Sequence, residues 1–156
     1  MNLHVFVAAA WACAPRVRAL HGALRAAGCV PRSHWADESD GSEAMEFSDL
    51  SSDEDIDVAW RANREGICES HVVIVLADTP TREGHAEAEY ARMMGKSILW
   101  VGKPTLTSRR FKYETFHSDL EAVEFVSRYV VDQYVRNYID RGHLVGEMKL
   151  AFDEAD

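Results

Sequence analysis

The sequence predicts an α/β domain, a parallel five-stranded sheet flanked by helices, with a long helix at the C-terminal end. Three observations carry that prediction. Val72 to Ala77 (Val-Val-Ile-Val-Leu-Ala) is an unbroken apolar run rich in β-branched residues, the pattern of a strand buried on both faces. Apolar runs at Leu3–Ala10 and Ser97–Val101 flank it in the chain. The segments between these runs show helical spacing, and strands that alternate with helices specify a parallel sheet with right-handed crossovers.

The elements follow in order. Leu3–Ala10 reads as the first, central strand. Pro15 suits the first turn of a helix over Pro15–Ala27, with Val17, Leu20, Leu24 and Ala27 on one stripe, and Gly28 ends it. Cys29–Trp35 reads as a shorter second strand in which Pro31 marks an edge or irregular pairing. A helix is expected from about Ser52 to Ser70, with Ile56, Trp60, Asn63 and Ile67 aligned. After the Val72–Ala77 strand come Asp78, a loop over Thr79–Gly84, and a helix from about His85 to Met94, with Gly95 as its C′ residue. Ser97–Val101 is the next strand and Thr115–His117 a short last one. Ser118-Asp119-Leu120-Glu121 is a capping box that opens the final helix. That helix is expected to continue to Arg141, on the order of 36 Å at 1.5 Å per residue. Its second half, with Tyr129, Val130, Tyr134, Val135, Tyr138 and Ile139, needs a partner surface. The division expected is therefore a domain over residues 1–128 and a helical extension over 129–156 that serves as an oligomer contact.

Charge is unevenly placed. The chain of 156 residues has a net charge of −9, but ten acidic residues and no Lys or Arg fall between Asp37 and Asp57. The rest carries 16 acidic against 17 basic residues and is close to neutral. Residues 36–52 read as a mobile, solvated acidic insertion, with a lid over the site as the alternative. No basic stripe for nucleic acid appears, and no apolar run approaches the roughly 20 residues that span a membrane. Nothing at the N-terminus resembles a secretory signal. Cys13, Cys29 and Cys68 have no metal-ligand spacing and suit a reducing, cytoplasmic setting.

The chemistry-bearing residues cluster around the central strand. Ligands of open α/β sheets bind beyond the strand tips. Asp78 stands at such a tip, and Glu87 in the first turn of the helix that follows. A helix N-terminus favours a carboxylate by roughly 0.3–1 kcal/mol, so Glu87 is expected to stay ionised at neutral pH. An ionised, oriented carboxylate can attack an electrophilic carbon, with sugar anomeric carbons the usual target and a second carboxyl for the leaving group. The structural alternative is that Asp78 caps a loop and Glu87 complements the dipole. Trp11, just past the first strand, is placed to stack on a flat ring or to pack. His85-Ala86-Glu87 matches the His-x-Glu of zinc deaminases, but no Cys follows Cys68 to complete the metal set. Walker, GxGxxG and GxSxG motifs are absent.

Three stretches together resemble the nucleoside 2-deoxyribosyltransferase-like family over roughly Leu3 to Val126. They are Val5-Phe6-Val7-Ala8-Ala9-Ala10-Trp11 with Arg16, then Ile67-Cys68-Glu69-Ser70-His71-Val72-Val73-Ile74-Val75, and then Gly84-His85-Ala86-Glu87-Ala88-Glu89-Tyr90-Ala91 leading to Gly95-Lys96. The resemblance implies a single flavodoxin/Rossmann-like domain. It implies that Glu87 is the nucleophile and that Asp78 holds or protonates the base, with Trp11, Arg16, Gly84, Ala8 and Asn63 contacting substrate. The implied enzyme is a nucleoside 2-deoxyribosyltransferase or a nucleoside or nucleotide N-glycosidase. It would form a glycosyl-Glu intermediate and pass the sugar to another base or to water. No metal or organic cofactor is implied, and the partners are a small nucleoside or nucleotide and further copies of the chain in a homo-oligomer, dimer or higher. The chain departs from the pattern in three ways. Glu89 stands where Gly is usual. Asn63 and His71 stand where acidic residues are common. The Gly/Ser-rich loop that holds a 5′-phosphate is missing, with Arg16 or Arg109 as the available cations. An enzyme that cleaves NAD, and a non-catalytic nucleotide-binding module, are the competing readings.

Overall fold

The strands alternate between two cores, and this places every later feature. In this computed structural model, which describes residues 2–36, 52–77, 82–102 and 114–128, five strands form one all-parallel sheet. They are β1 (Leu3–Ala8), β2 (Cys29–Pro31), β3 (Val72–Leu76), β4 (Ser97–Val101) and β5 (Glu114–Phe116), in the order β2-β1-β3-β4-β5. The helices are α1 (Ala14–Ala26), α2 (Asp53–Glu69), α3 (Arg82–Met93) and α4, over residues 119–128. The order is that of flavodoxin-like doubly wound sheets, so the predicted fold class holds.

Period-2 alternation sends Val5, Val7, Val72, Ile74, Leu76, Leu99 and Val101 to one face. There they meet Val17, Leu20 and Leu24 of α1 and Ala122, Val123 and Val126 of α4. Phe6, Ala8, Val73, Val75, Ile98 and Trp100 point the other way, onto Ile67 of α2 and Ala88 and Ala91 of α3. Small residues on α3 let that helix lie close to the sheet.

The ends of the helices follow local chemistry. Pro15 lies in the first turn of α1. Gly95 has φ +68 and closes α3 as a Schellman motif, with Lys96 N–H donating to Ala91 O and Gly95 N–H to Arg92 O, both at 3.0 Å. Ser118 Oγ accepts the Glu121 N–H at 3.3 Å, while Glu121 Oε2 accepts the N–H of His117 at 2.8 Å. The capping box is thus present, reaching back one residue further than the usual form. Gly66 marks the closest approach of α2 to the sheet: a Cβ there would lie 2.6 Å from the Arg32 carbonyl oxygen and 3.0 Å from the Phe6 ring.

Two expectations are corrected. The segment Cys29–Trp35 is not one strand: β2 stops at Pro31 and His34–Ala36 forms a 3-10 turn. Beyond Pro31 one more backbone bond, Arg32 N–H to Val5 O at 2.8 Å, continues the pairing, and a side chain then takes over. Ser33 Oγ accepts the Val7 N–H at 3.1 Å and lies 2.7 Å from Nε2 of the fully buried His21. Helix α3 starts at Arg82 rather than His85, with consequences for Glu87 given below. His71 lies at the amino-terminal rim, where its Nδ1 accepts the His4 N–H at 3.1 Å. Burial, then His4 and Lys96, holds its pKa below the ordinary value. Glu89, the other departure, is exposed and pairs with Arg92 at 2.9 Å. All three cysteines are free. Among the described residues no helix is long and apolar enough to cross a membrane. The acidic insertion over 36–52 lies, apart from its two end residues, outside the described residues. So do the helical extension over 129–156 and Arg109.

Candidate active site

Strand order reverses between β1 and β3, the place where sheets of this order bind ligands beyond the carboxyl ends of their strands. Ala8, Trp11 and Trp35 lie at this end of the sheet. Ala8 is the buried last residue of β1, and Trp11 opens a 3-10 turn just past it. The turn is closed by the Cys13 N–H donating to Ala10 O at 2.8 Å. Trp35, in the 3-10 turn after β2, brings its ring to 5.4 Å from that of Trp11 at a 50° tilt. Trp35 packs against both cores, so it sits over the strand ends rather than on one face. Sequence reasoning missed it because it was assigned to a strand. Its only signal was a Trp one turn past a proline-terminated apolar run.

Glu87 is delivered by the seam between α2 and α3. It is only 3% exposed, and Asn63 Nδ2 donates to its Oε1 at 2.8 Å. One helical turn further along the same seam, the Arg64 guanidinium lies 5.3 Å from the centre of the Tyr90 ring. The Tyr90 hydroxyl lies 3.3 Å from Cys68 Sγ. Glu87 is therefore shielded by helix-on-helix packing. Gly84 is buried in the first turn of α3.

The expectation that Glu87 is ionised at neutral pH is overturned. Because α3 begins at Arg82, Glu87 is in its second turn, beyond the free N–H groups that would favour a carboxylate. Burial dominates and pushes its pKa up to about 8. The Asn63 hydrogen bond pulls it down by less than burial raises it, and the Glu83 charge raises it further. Burial therefore favours the neutral acid at pH 7.

Arg16, expected to contact substrate, is paired with the first turn of α4. Its Nε and Nη2 meet Oδ2 and Oδ1 of Asp119 at 2.8 and 2.6 Å, a bidentate pair tying α1 to α4. Each partner is 31% exposed, so the pair is worth about 1 kcal/mol. An Arg16→Ala, Asp119→Ala double-mutant cycle followed by thermal unfolding is expected to give that coupling. KM for a 5′-monophosphate substrate should move less than about threefold in Arg16→Ala. A rise of tenfold or more would make Arg16 a phosphate ligand after all. Asn63, also expected to contact substrate, donates its amide to Glu87. Asp78 lies outside the described residues. No group of three His, Cys, Asp or Glu side chains among the described residues is placed to hold a metal ion.

No family model and no curated protein matches the sequence. Among solved structures, the chain is similar to a CMP N-glycosidase from Clostridium botulinum. The TM-score is 0.53 at 17% sequence identity, over 79% of this chain and 97% of that one. At that identity the likeness is one of fold: the described residues build the α/β scaffold on which that enzyme is also built.

Proposed function

We propose that the chain is a nucleotide N-glycosidase-type enzyme and that Glu87 is its nucleophile. The observation that carries the reading is Glu87, buried in the seam between α2 and α3 and hydrogen-bonded by Asn63, on the helix that follows the central strand. A fold shared with a CMP N-glycosidase supports it. Buried carboxyls with raised pKa values concentrate at functional sites.

The chemistry runs in two displacements. An ionised Glu87 oxygen bonds to C1′ of the sugar as the C1′–N bond breaks. The electron pair of that bond leaves with the base nitrogen, which takes up a proton, and Asp78 is the acid assigned to supply it. Water then attacks C1′, passing a proton back to Asp78, and the C1′–O bond to Glu87 breaks with its electron pair leaving on the carboxylate. The sum is nucleotide plus water giving free base and sugar phosphate. Attack needs the ionised form, so the Glu87 proton first passes to solvent, a loss that burial makes less favourable at pH 7; positive charge developing at C1′ then stabilises the carboxylate as the bond forms. Trp11 and Trp35 form the wall against which a flat base stacks.

A base-release assay tests this. Purified protein is incubated with nucleosides, their 5′-monophosphates and NAD, with and without an acceptor base, beside Glu87→Ala. Release of base from a monophosphate, abolished in Glu87→Ala and independent of acceptor, is expected. Acceptor dependence would make the enzyme a transferase. Release from NAD alone would move the substrate class to dinucleotides. Ligand binding with no release from any substrate would leave a nucleotide-binding module.

A further inference from the structure

Asn63 is an amide where the resembled family commonly carries an acid, and it donates its one visible side-chain bond to Glu87. We propose that Asn63 is the positioning residue of this site: its Nδ2–H reserves Oε1 of Glu87 as an acceptor, so that Oε2 alone carries the proton at rest and alone attacks C1′. The inference rests on the function proposed above, and it adds which oxygen reacts and what fixes that choice.

The argument is one of donor bookkeeping. An amide nitrogen has only donors, so the oxygen it meets at 2.8 Å must accept. In a neutral carboxyl the carbonyl oxygen is the better acceptor, so the N–H favours Oε1 as the carbonyl and places the O–H on Oε2. A second acid at position 63 would share a proton with Glu87 and leave both assignments open. The amide removes that ambiguity, since it never titrates.

Both groups are nearly closed to water, Asn63 at 8% and Glu87 at 3% exposure, so solvent does not compete for the bond. They also come from different helices, and the bond locks Glu87 across the seam at the point where it must face C1′. The direction of the effect on titration agrees: the bond lowers the pKa of Glu87, against the larger opposing effect of burial. Removing the donor should make ionisation harder, and the cost should fall on the acid limb of the pH–rate profile.

The test compares kcat/KM against pH for wild type, Asn63→Leu and Asn63→Gln, with unfolding measured for each. Leu keeps roughly the shape of Asn without the donor, and Gln keeps the donor. The acid limb is expected to move up by about one pH unit in Asn63→Leu. At pH 7 its rate should fall about 10–100-fold, with part of the loss recovered at high pH. Gln should return the limb towards wild type. A rate loss in Asn63→Leu with an unmoved limb would mean a merely structural residue and overturn the proposal. A limb moved to lower pH would overturn it too, since the amide would then be accepting the Glu87 proton.

If Asn63→Leu does not fold, 15N NMR of the wild-type chain still decides. One Asn side-chain NH2 signal is expected to shift as pH passes through 8, and the shift should vanish in Glu87→Gln. No such response would overturn the proposal. Should Glu87→Ala leave base release intact, the function proposed above fails, whereas the NMR titration still reports on the hydrogen bond itself.

Discussion

Glu87→Gln is expected to lower base release by at least about 10³-fold and, in the same protein, to raise the melting temperature at alkaline pH. Glutamine has the shape of the neutral acid and still offers Oε1 to the Asn63 amide. It has no carboxylate to bond to C1′, so no glycosyl intermediate forms. The stability effect comes from linkage. The folded pKa of Glu87, about 8, lies above its ordinary value of 4.5. The raised pKa favours folding with the proton on. That contribution is fully present below pH 4.5 and is lost as pH rises through 8. Gln keeps the neutral state at every pH. Its melting temperature should therefore match wild type near pH 4.5 and exceed it by several degrees at pH 8–9. Thermal melts of the two proteins across that range measure the gap. A gap that fails to open with pH would mean that Glu87 ionises without cost, and that the seam does not desolvate it. Loss of stability at all pH values would give Glu87 a packing role. Function would then be sustained here at the expense of stability, as buried catalytic acids require.

Gly66→Ala is expected to destabilise the fold by about 2–3 kcal/mol, the range for overpacking a tight contact, and to lower the melting temperature by about 5–10 °C. Alanine is the better helix former by about 1 kcal/mol, so an exposed helical glycine would gain from the change. Here the added carbon meets the Arg32 carbonyl at 2.6 Å and the Phe6 ring at 3.0 Å. The carbonyl is fixed in the chain just past β2 and Phe6 lies in the centre of β1, so neither gives easily. Helix α2 has to lift from the sheet. Asn63 lies one turn before Gly66 on that helix, and its bond to Glu87 crosses to α3. The shift should therefore reach the site as well. Thermal unfolding tests the first effect and base release at a permissive temperature the second. An unchanged melting temperature would show that the contact relaxes freely.

The sequence by itself determined the scaffold and the place of Glu87 in it. The unbroken apolar run of β3 could be buried only in a parallel sheet covered on both faces, and Gly95 had one natural place, past the end of a helix. The turn-rich punctuation around these elements put Glu87 on the helix behind the central strand. Hydrophobic period and local turn chemistry are written residue by residue, which is why they can be read before any contact is known.

What the tertiary structure decided is everything that depends on a neighbour distant in the chain. The start of α3 at Arg82 moved Glu87 out of the first turn, and the α2–α3 seam closed over it, turning an expected carboxylate into a neutral acid. Arg16 looked like an available cation, but its Nε and Nη2 donate to Asp119, 103 residues away. Trp35 joined Trp11 only because β2 ended at Pro31 and the chain turned over the strand tips. Burial and pairing are sums over contacts made in space. A linear pattern names the groups that can ionise, stack or donate, but the energy of each is set by what the fold places against it.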